Sequence, residues 1–164
     1  MKKIKYFFEF LIIFIFLLIF KIAGYRVASN LGNSIGKVVG PRFRSKKVII
    51  DNIKKFKPEI KEDEINKIVE KMWGNYGRIL AEYVYIPEFR KRRLDKYIKI
   101  EGLENLKKIK NSGKPTVFIS GHFNNFELMA MIIEREGVEL SAVYRPLNNK
   151  FLNILMEYLR KNYI

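Results

Sequence analysis

The chain has 164 residues, enough for one compact domain with a buried core, and carries 32 Lys+Arg against 17 Asp+Glu for a formal net charge of +15. It has no cysteine and a single histidine, which excludes disulfides, thiolate metal sites and any multi-histidine zinc or iron centre within one chain. Such a charge attracts nucleic acid, anionic lipid or an acidic protein, but a Lys-, Ile- and Asn-rich composition raises it without any partner, so charge alone carries no binding argument.

Met1-Lys2-Lys3-Ile4-Lys5 opens the chain with three lysines, and Phe10 to Phe20 is a run of eleven residues without a polar side-chain atom. The surrounding stretch from Tyr6 to Tyr25 is long enough to cross the roughly 30 Å of a bilayer core as a helix. Its charges, Glu9 and Lys21, fall near the ends, where long side chains reach the interface. A cleaved signal peptide is the rival reading, but no clear small-x-small site follows promptly. Residues 1–25 are therefore read as an uncleaved, single-pass anchor. The larger basic excess follows the segment (Lys21, Arg26, Lys37, Arg42, Arg44, Lys46, Lys47), which favours a cytoplasmic body.

Glycines 32, 36 and 40 recur at four-residue spacing, on one helix face, where small residues permit close packing against a neighbour or the bilayer. Pro41 stops that segment. Arg42 to Phe56 reads as a short basic helix with Val48, Ile49, Ile50, Ile53 and Phe56 apolar, either a solvated face around a buried stripe or an interfacial helix. Pro58 to Glu64 starts a further helix, acidic in its first turn. Ile65, Ile68, Val69, Met72, Trp73, Tyr76, Leu80, Tyr83 and Val84 follow at three- and four-residue steps, and Pro87 ends it. Phe89-Arg90-Lys91-Arg92-Arg93 is a basic cluster in a loop. With no nucleic-acid fold around it, it reads as a surface charge run, or secondarily as a phosphate or carrier contact.

From about residue 97 the pattern turns to α/β. Tyr97 to Ile100, Pro115 to Ser120 and Val138 to Tyr144 read as strands. Leu103, Leu106 and Ile109 line a helix closing at Asn111-Ser112-Gly113. A second helix follows His122 and ends near Gly137, and a third runs from Asn148 to Arg160 with Phe151, Leu152, Leu155 and Leu159 on one side. The expected fold class is α/β: an N-terminal membrane helix and helical segment, then a partial, mostly parallel sheet covered by helices.

The lone histidine stands in Gly121-His122-Phe123-Asn124-Asn125-Phe126-Glu127, between the expected strand and helix. Five residues on one continuous helix would set His122 and Glu127 about 140° apart. The pair therefore works only if His122 lies in the loop and Glu127 in the first helical turns, with Asn124 or Asn125 as the cap. Glu127 would then hold the tautomer of His122, whose other nitrogen could take a proton from a substrate hydroxyl attacking an acyl thioester. The helix N-terminus would add donors for an oxyanion or phosphate. Ser120 lacks the elbow pattern of an acyl-enzyme serine.

Gly121 to Glu127 resembles the Gly-His-x-x-Asn-aromatic-Glu signature of the lipid A biosynthesis acyltransferases, the lauroyl/myristoyl transferase family. Val143-Tyr144-Arg145-Pro146-Leu147-Asn148-Asn149 is similar to that family's Tyr-Arg-Pro block. Arg42 to Asn52 resembles its basic stretch running into an Asn, Trp73 to Glu82 its Asn-aromatic-Gly-Arg-x-x-x-Glu helix, and Gly102-Leu103-Glu104-Asn105-Leu106 the lead-in to the motif strand. The resemblance implies a glycerolipid-acyltransferase-like enzyme of the inner membrane with a cytoplasmic active site. Such an enzyme moves an acyl group from acyl carrier protein to a hydroxyl of a lipid A precursor, with no cofactor, metal or nucleic acid. His122 matches the catalytic base and Glu127 its partner. Arg145, Asn125 and Tyr144 fall at substrate-binding positions. Residues 26–164 would be the acyltransferase domain in its N-terminal part only, since family members continue past the Tyr-Arg-Pro block. On that ground the chain is read as a C-terminal truncation whose own activity is open. A lysophospholipid or glycolipid acceptor, and a non-catalytic basic membrane protein, are the alternatives.

Overall fold

The first helix, α1 (Lys2–Ala23), is 22 residues long and mostly unburied; Leu17 and Phe20 are its buried residues. The computed structural model describes residues 2–164. Among them α1, with a mean hydropathy of 2.4, is the one helix long and apolar enough to cross a membrane, by length and composition. Gly24 stops it at φ 82°. A Cβ there would meet nothing within 4 Å, so the demand for glycine is conformational rather than steric. By contacts the chain divides into two units, Phe16–Val84 and the remainder, made of the chain up to Ile15 together with Tyr85–Ile164.

In the first of these units, α2 (Tyr25–Val39) lies against α4 (Glu62–Glu82) along a glycine seam. A Cβ on Gly36 would come within 2.9 Å of the Gly77 Cα, and one on Gly32 within 2.7 Å of the Ala81 Cβ. The glycines spaced by four thus face a neighbouring helix, and their missing side chains let two backbones touch. Gly40 carries the seam onto the ring of Trp73. A basic helix, α3 (Lys46–Phe56), sets Ile49 with Ile60, Ile65 and Val69 in a small core that Ile50, Ile53, Met72 and Trp73 flank. The periodic stripe of α4 is therefore core, and three acidic residues, Glu62, Asp63 and Glu64, occupy its first turn.

The other unit contains α5 (Ile86–Arg90), α6 (Leu103–Ser112), α7 (Glu127–Arg135) and α8 (Lys150–Tyr163). Ile86 and Phe89 of α5 are fully buried, as is Met131 of α7, and α5 contacts both α7 and α8. Pro87 sits in the first turn of α5, where its missing N–H is harmless; the preceding helix has already ended at Glu82. The basic run 89–93 is thus partly helical. Arg90 pairs with Glu134, and Arg92 with Glu136 at 3.4 Å. Arg135, with its side chain 6% exposed, bonds the Phe89 carbonyl and Asp95. Gly113 ends α6 in the left-handed region at φ 60°.

The sheet expected from residue 97 is absent: among the described residues no strand forms and the regular elements are all helical. Residues 98–100, 115–120 and 138–144 lie outside any regular element. Val117 and Ile119 are 86% and 93% exposed, and Val143 is fully exposed. An apolar β-branched run signals a preference for extended backbone, but a strand exists only as a ladder with a partner about 4.8 Å away. No such partner lies beside these segments.

Candidate active site

His122 lies where the extended segment after α6 gives way to the turn before α7. It is exposed, and its ring meets Phe126 edge-on at 4.4 Å between centroids. Asn124, at φ 45°, bends the turn, in a region where Asn is tolerated better than most residues. Neither Asn124 nor Asn125 caps α7: Phe126 holds the cap position and makes no side-chain bond. Backbone bonds from Leu128 N to the Asn125 carbonyl (3.1 Å) and from Met129 N to the Phe126 carbonyl (3.2 Å) start the helix instead. Glu127 is its first residue and only 5% exposed.

Glu127 faces Arg160 of α8 rather than His122. The Arg160 Nη2 donates to Glu127 Oε1 at 2.5 Å, and Nε donates to both carboxylate oxygens at 3.1 and 3.4 Å. This fork-on-carboxylate geometry is the strong form of a charge-assisted bond. The same guanidinium stands 5.2 Å from the centre of the Tyr144 ring, within cation–π range. The Tyr144 hydroxyl donates to Glu157 Oε1 at 2.5 Å, and Asn153 Nδ2 donates to the same oxygen at 2.8 Å. Asn153 Oδ1 in turn accepts from Leu147 N at 2.8 Å. The Tyr144 bond holds the Glu157 carboxyl below its ordinary value and, by the same sharing, raises the Tyr144 phenol.

Of the expected site residues, Glu127 and Tyr144 are thus gathered on one arginine. Asn125 is half-buried in the turn, and His122 and Arg145 are exposed. As arranged, the carboxylate steadies a guanidinium while the imidazole stays open to a ligand. Sequence reasoning missed Arg160, Glu157 and Asn149. Asn149 caps α8, its Oδ1 accepting from the N–H groups of Phe151 and Leu152, and it donates to the Tyr6 carbonyl at 2.9 Å. Arg160 had a signal: it follows Leu152 and Met156 at steps of four, so a charge falls on a helix face that is otherwise apolar there.

In the other unit, the Trp73–Glu82 block also converges on one group. Ser29 Oγ donates to Glu82 Oε1 at 2.7 Å and accepts from Arg78 Nη1 at 3.0 Å; Arg78 also donates to Asn30 Oδ1 at 3.1 Å. Ser29 and Glu82 are both buried. A buried carboxylate needs such partners, and these two motif residues thereby fasten α4 to α2.

The profile of the bacterial lipid A biosynthesis acyltransferases matches residues 1–163. The chain belongs to this family. Among curated members, it is 27% identical over 139 residues to a lipid A biosynthesis palmitoleoyltransferase of Escherichia coli, covering 83% of this chain and 43% of that protein. It is 28% identical over 144 residues to a lipid A biosynthesis lauroyltransferase of the same organism, covering 84% and 46%. A lipid A biosynthesis acyltransferase of Haemophilus influenzae is 22% identical over 149 residues, covering 90% and 47%. The chain therefore spans under half the length of these acyltransferases. No solved structure matches it.

Proposed function

We propose that the protein carrying this chain transfers a fatty acyl group from acyl carrier protein to a hydroxyl of a lipid A precursor at the cytoplasmic face of the inner membrane. The observation that carries this reading is the family match across residues 1–163, supported by relatives named as lipid A palmitoleoyl- and lauroyltransferases. The candidate membrane helix α1 and the basic composition suit a lipid acceptor and an acidic carrier.

His122 is the general base. Its exposed ring takes the proton of the acceptor hydroxyl as the oxygen attacks the thioester carbonyl, and the imidazolium then returns that proton to the departing thiolate. The products are the new ester and the free carrier thiol. Glu127 orients His122 and balances its charge once substrate draws the turn 121–126 inward, catalytic bonds being often unmade before substrate binds. Arg160 keeps the buried carboxylate ionised for that role. Exposed Arg145 meets a phosphate or the developing oxyanion, and Tyr144 and Asn125 shape the acceptor side.

The test is lipid mass spectrometry and acyl-transfer assay on membranes bearing the protein. His122→Ala and Glu127→Ala are expected to abolish acylation of the lipid A precursor, general-base losses being roughly 10²–10⁴-fold. Wild-type turnover by the His122 variant would overturn the assignment. Acylation appearing on lysophospholipid instead would move the acceptor while keeping the chemistry.

A further inference from the structure

A second polar recess lies in the unit Phe16–Val84, built from residues that the acyl-transfer reading does not use. Lys37 of α2, Arg44 and Lys46 at the entry to α3, and Asn66, Glu70 and Trp73 of α4 line a hollow of about 260 Å³. Drug-sized sites occupy roughly 300–1,000 Å³, so the hollow suits a headgroup fragment rather than a whole lipid. Three cations stand against one carboxylate. Lys37 pairs with Glu70 at 2.7 Å, while exposed Arg44 and Lys46 have no acidic partner among the described residues. The Trp73 Nε1–H is buried without an acceptor, a donor left unmet at a cost that a bound oxygen would remove.

The start of α3 gives the same sign. Ser45 makes no cap bond and the first turn contains no acidic residue, whereas that of α4 contains three. Lys46 and Lys47 instead set cations at the positive end of the helix dipole, which is unfavourable unless an anion sits there. We propose that this recess binds a phosphate monoester. At neutral pH that group carries about −1.5 to −2 charges, matching three cations less one carboxylate better than a singly charged diester does. The oxygens would meet Arg44, Lys46 and the indole N–H, with the first-turn N–H groups of α3 behind them. The proposal stands whether or not the acyl-transfer reading holds.

Trp73 is the chain's single tryptophan, so indole fluorescence reports from this recess alone. The full chain in detergent micelles is titrated with inorganic phosphate, and in mixed vesicles with phosphatidic acid or phosphatidylglycerol in phosphatidylcholine at constant ionic strength. A saturable change with inorganic phosphate identifies a free-anion site; one with phosphatidic acid alone identifies a lipid headgroup. Arg44→Gln with Lys46→Gln should weaken binding about thirtyfold, given roughly 1 kcal/mol per basic residue. Lys54→Gln with Lys55→Gln removes the same charge from the far end of α3 and should leave the curve unchanged. Circular dichroism checks both pairs, and Arg44→Gln alone, outside any helix, serves if the pair loses helicity. Equal weakening by both pairs, equal response to phosphatidylglycerol and phosphatidic acid, or no saturable response to any phosphate would overturn the proposal.

Discussion

Replacing Arg160 by methionine leaves the Glu127 carboxylate 5% exposed and strips it of three bonds of 2.5, 3.1 and 3.4 Å. Breaking one side of a buried pair costs about 3–5 kcal/mol, because the remaining charge is stranded. The Arg160 side chain is itself 25% exposed, so water reaches this edge, and the lower value of about 3 kcal/mol applies. For a chain of this size that is a fall in melting temperature of about 6–12 °C. Glu127→Gln keeps a carbonyl acceptor for the guanidinium and should cost less, about 1.5 kcal/mol. The double variant removes the stranded charge and should recover about 2 kcal/mol relative to the sum of the singles. The assay is thermal unfolding in micelles, followed by circular dichroism over the four-member cycle. An Arg160→Met variant as stable as wild type, or strictly additive costs, would refute the view that this pair fixes α8 to the start of α7.

Gly77→Val places methyl groups where even a Cβ would lie 2.8 Å from the Gly36 Cα. Overpacking of about 3 kcal/mol or more should appear as a lowered melting temperature, with Gly113→Val, which meets open space, as the comparator for backbone strain alone. Ser29→Ala deprives Glu82 of its 2.7 Å bond and should cost about 2 kcal/mol by denaturant melting, while Asn149→Ala should cost about 1 kcal/mol for the lost cap. The Tyr144–Glu157 pair sets two pH limits. The Glu157 carboxyl is held below its ordinary 4.5, so its contribution is present above that value and lost as pH falls through the lowered one. The Tyr144 phenol is raised above 10.0, so its contribution is present below that value and lost as pH rises through the raised one. Phenolate absorbance should show one tyrosine titrating late in the wild-type protein, and Tyr144→Phe should remove it together with the acid-side dependence.

The helical half was legible because its signals are local. Three- and four-residue spacing from Ile65 to Leu80, the stop at Gly113 and the glycines at 32 and 36 each act within a turn or across one helix face. The sheet was not, because Val117, Ile119 and Val143 state only a preference for extended backbone, and pairing depends on residues distant in sequence. The site divides the same way. His122 and Glu127 stood out as a local pair, but the partner Glu127 takes is Arg160, 33 residues on. Only the placement of α8 decides that choice, and a spacing of four from Met156 was its faint trace in the sequence. Ser29 drew no notice, since nothing local distinguishes a serine that receives a buried Glu82 from one facing water.

The break at Gly24 has a consequence for bilayer thickness. Without it, α1 and α2 would continue as one rod from Lys2 to Val39, about 57 Å long and nearly twice the hydrocarbon depth. With it, α1 alone rises about 33 Å. A bilayer core of about 30 Å receives such a helix with slight tilt, and a thinner one only by stronger tilt or local thickening. A left-handed glycine that touches no side chain would thereby set hydrophobic mismatch, and lengthening α1 by removing that glycine would alter which membranes hold the protein upright.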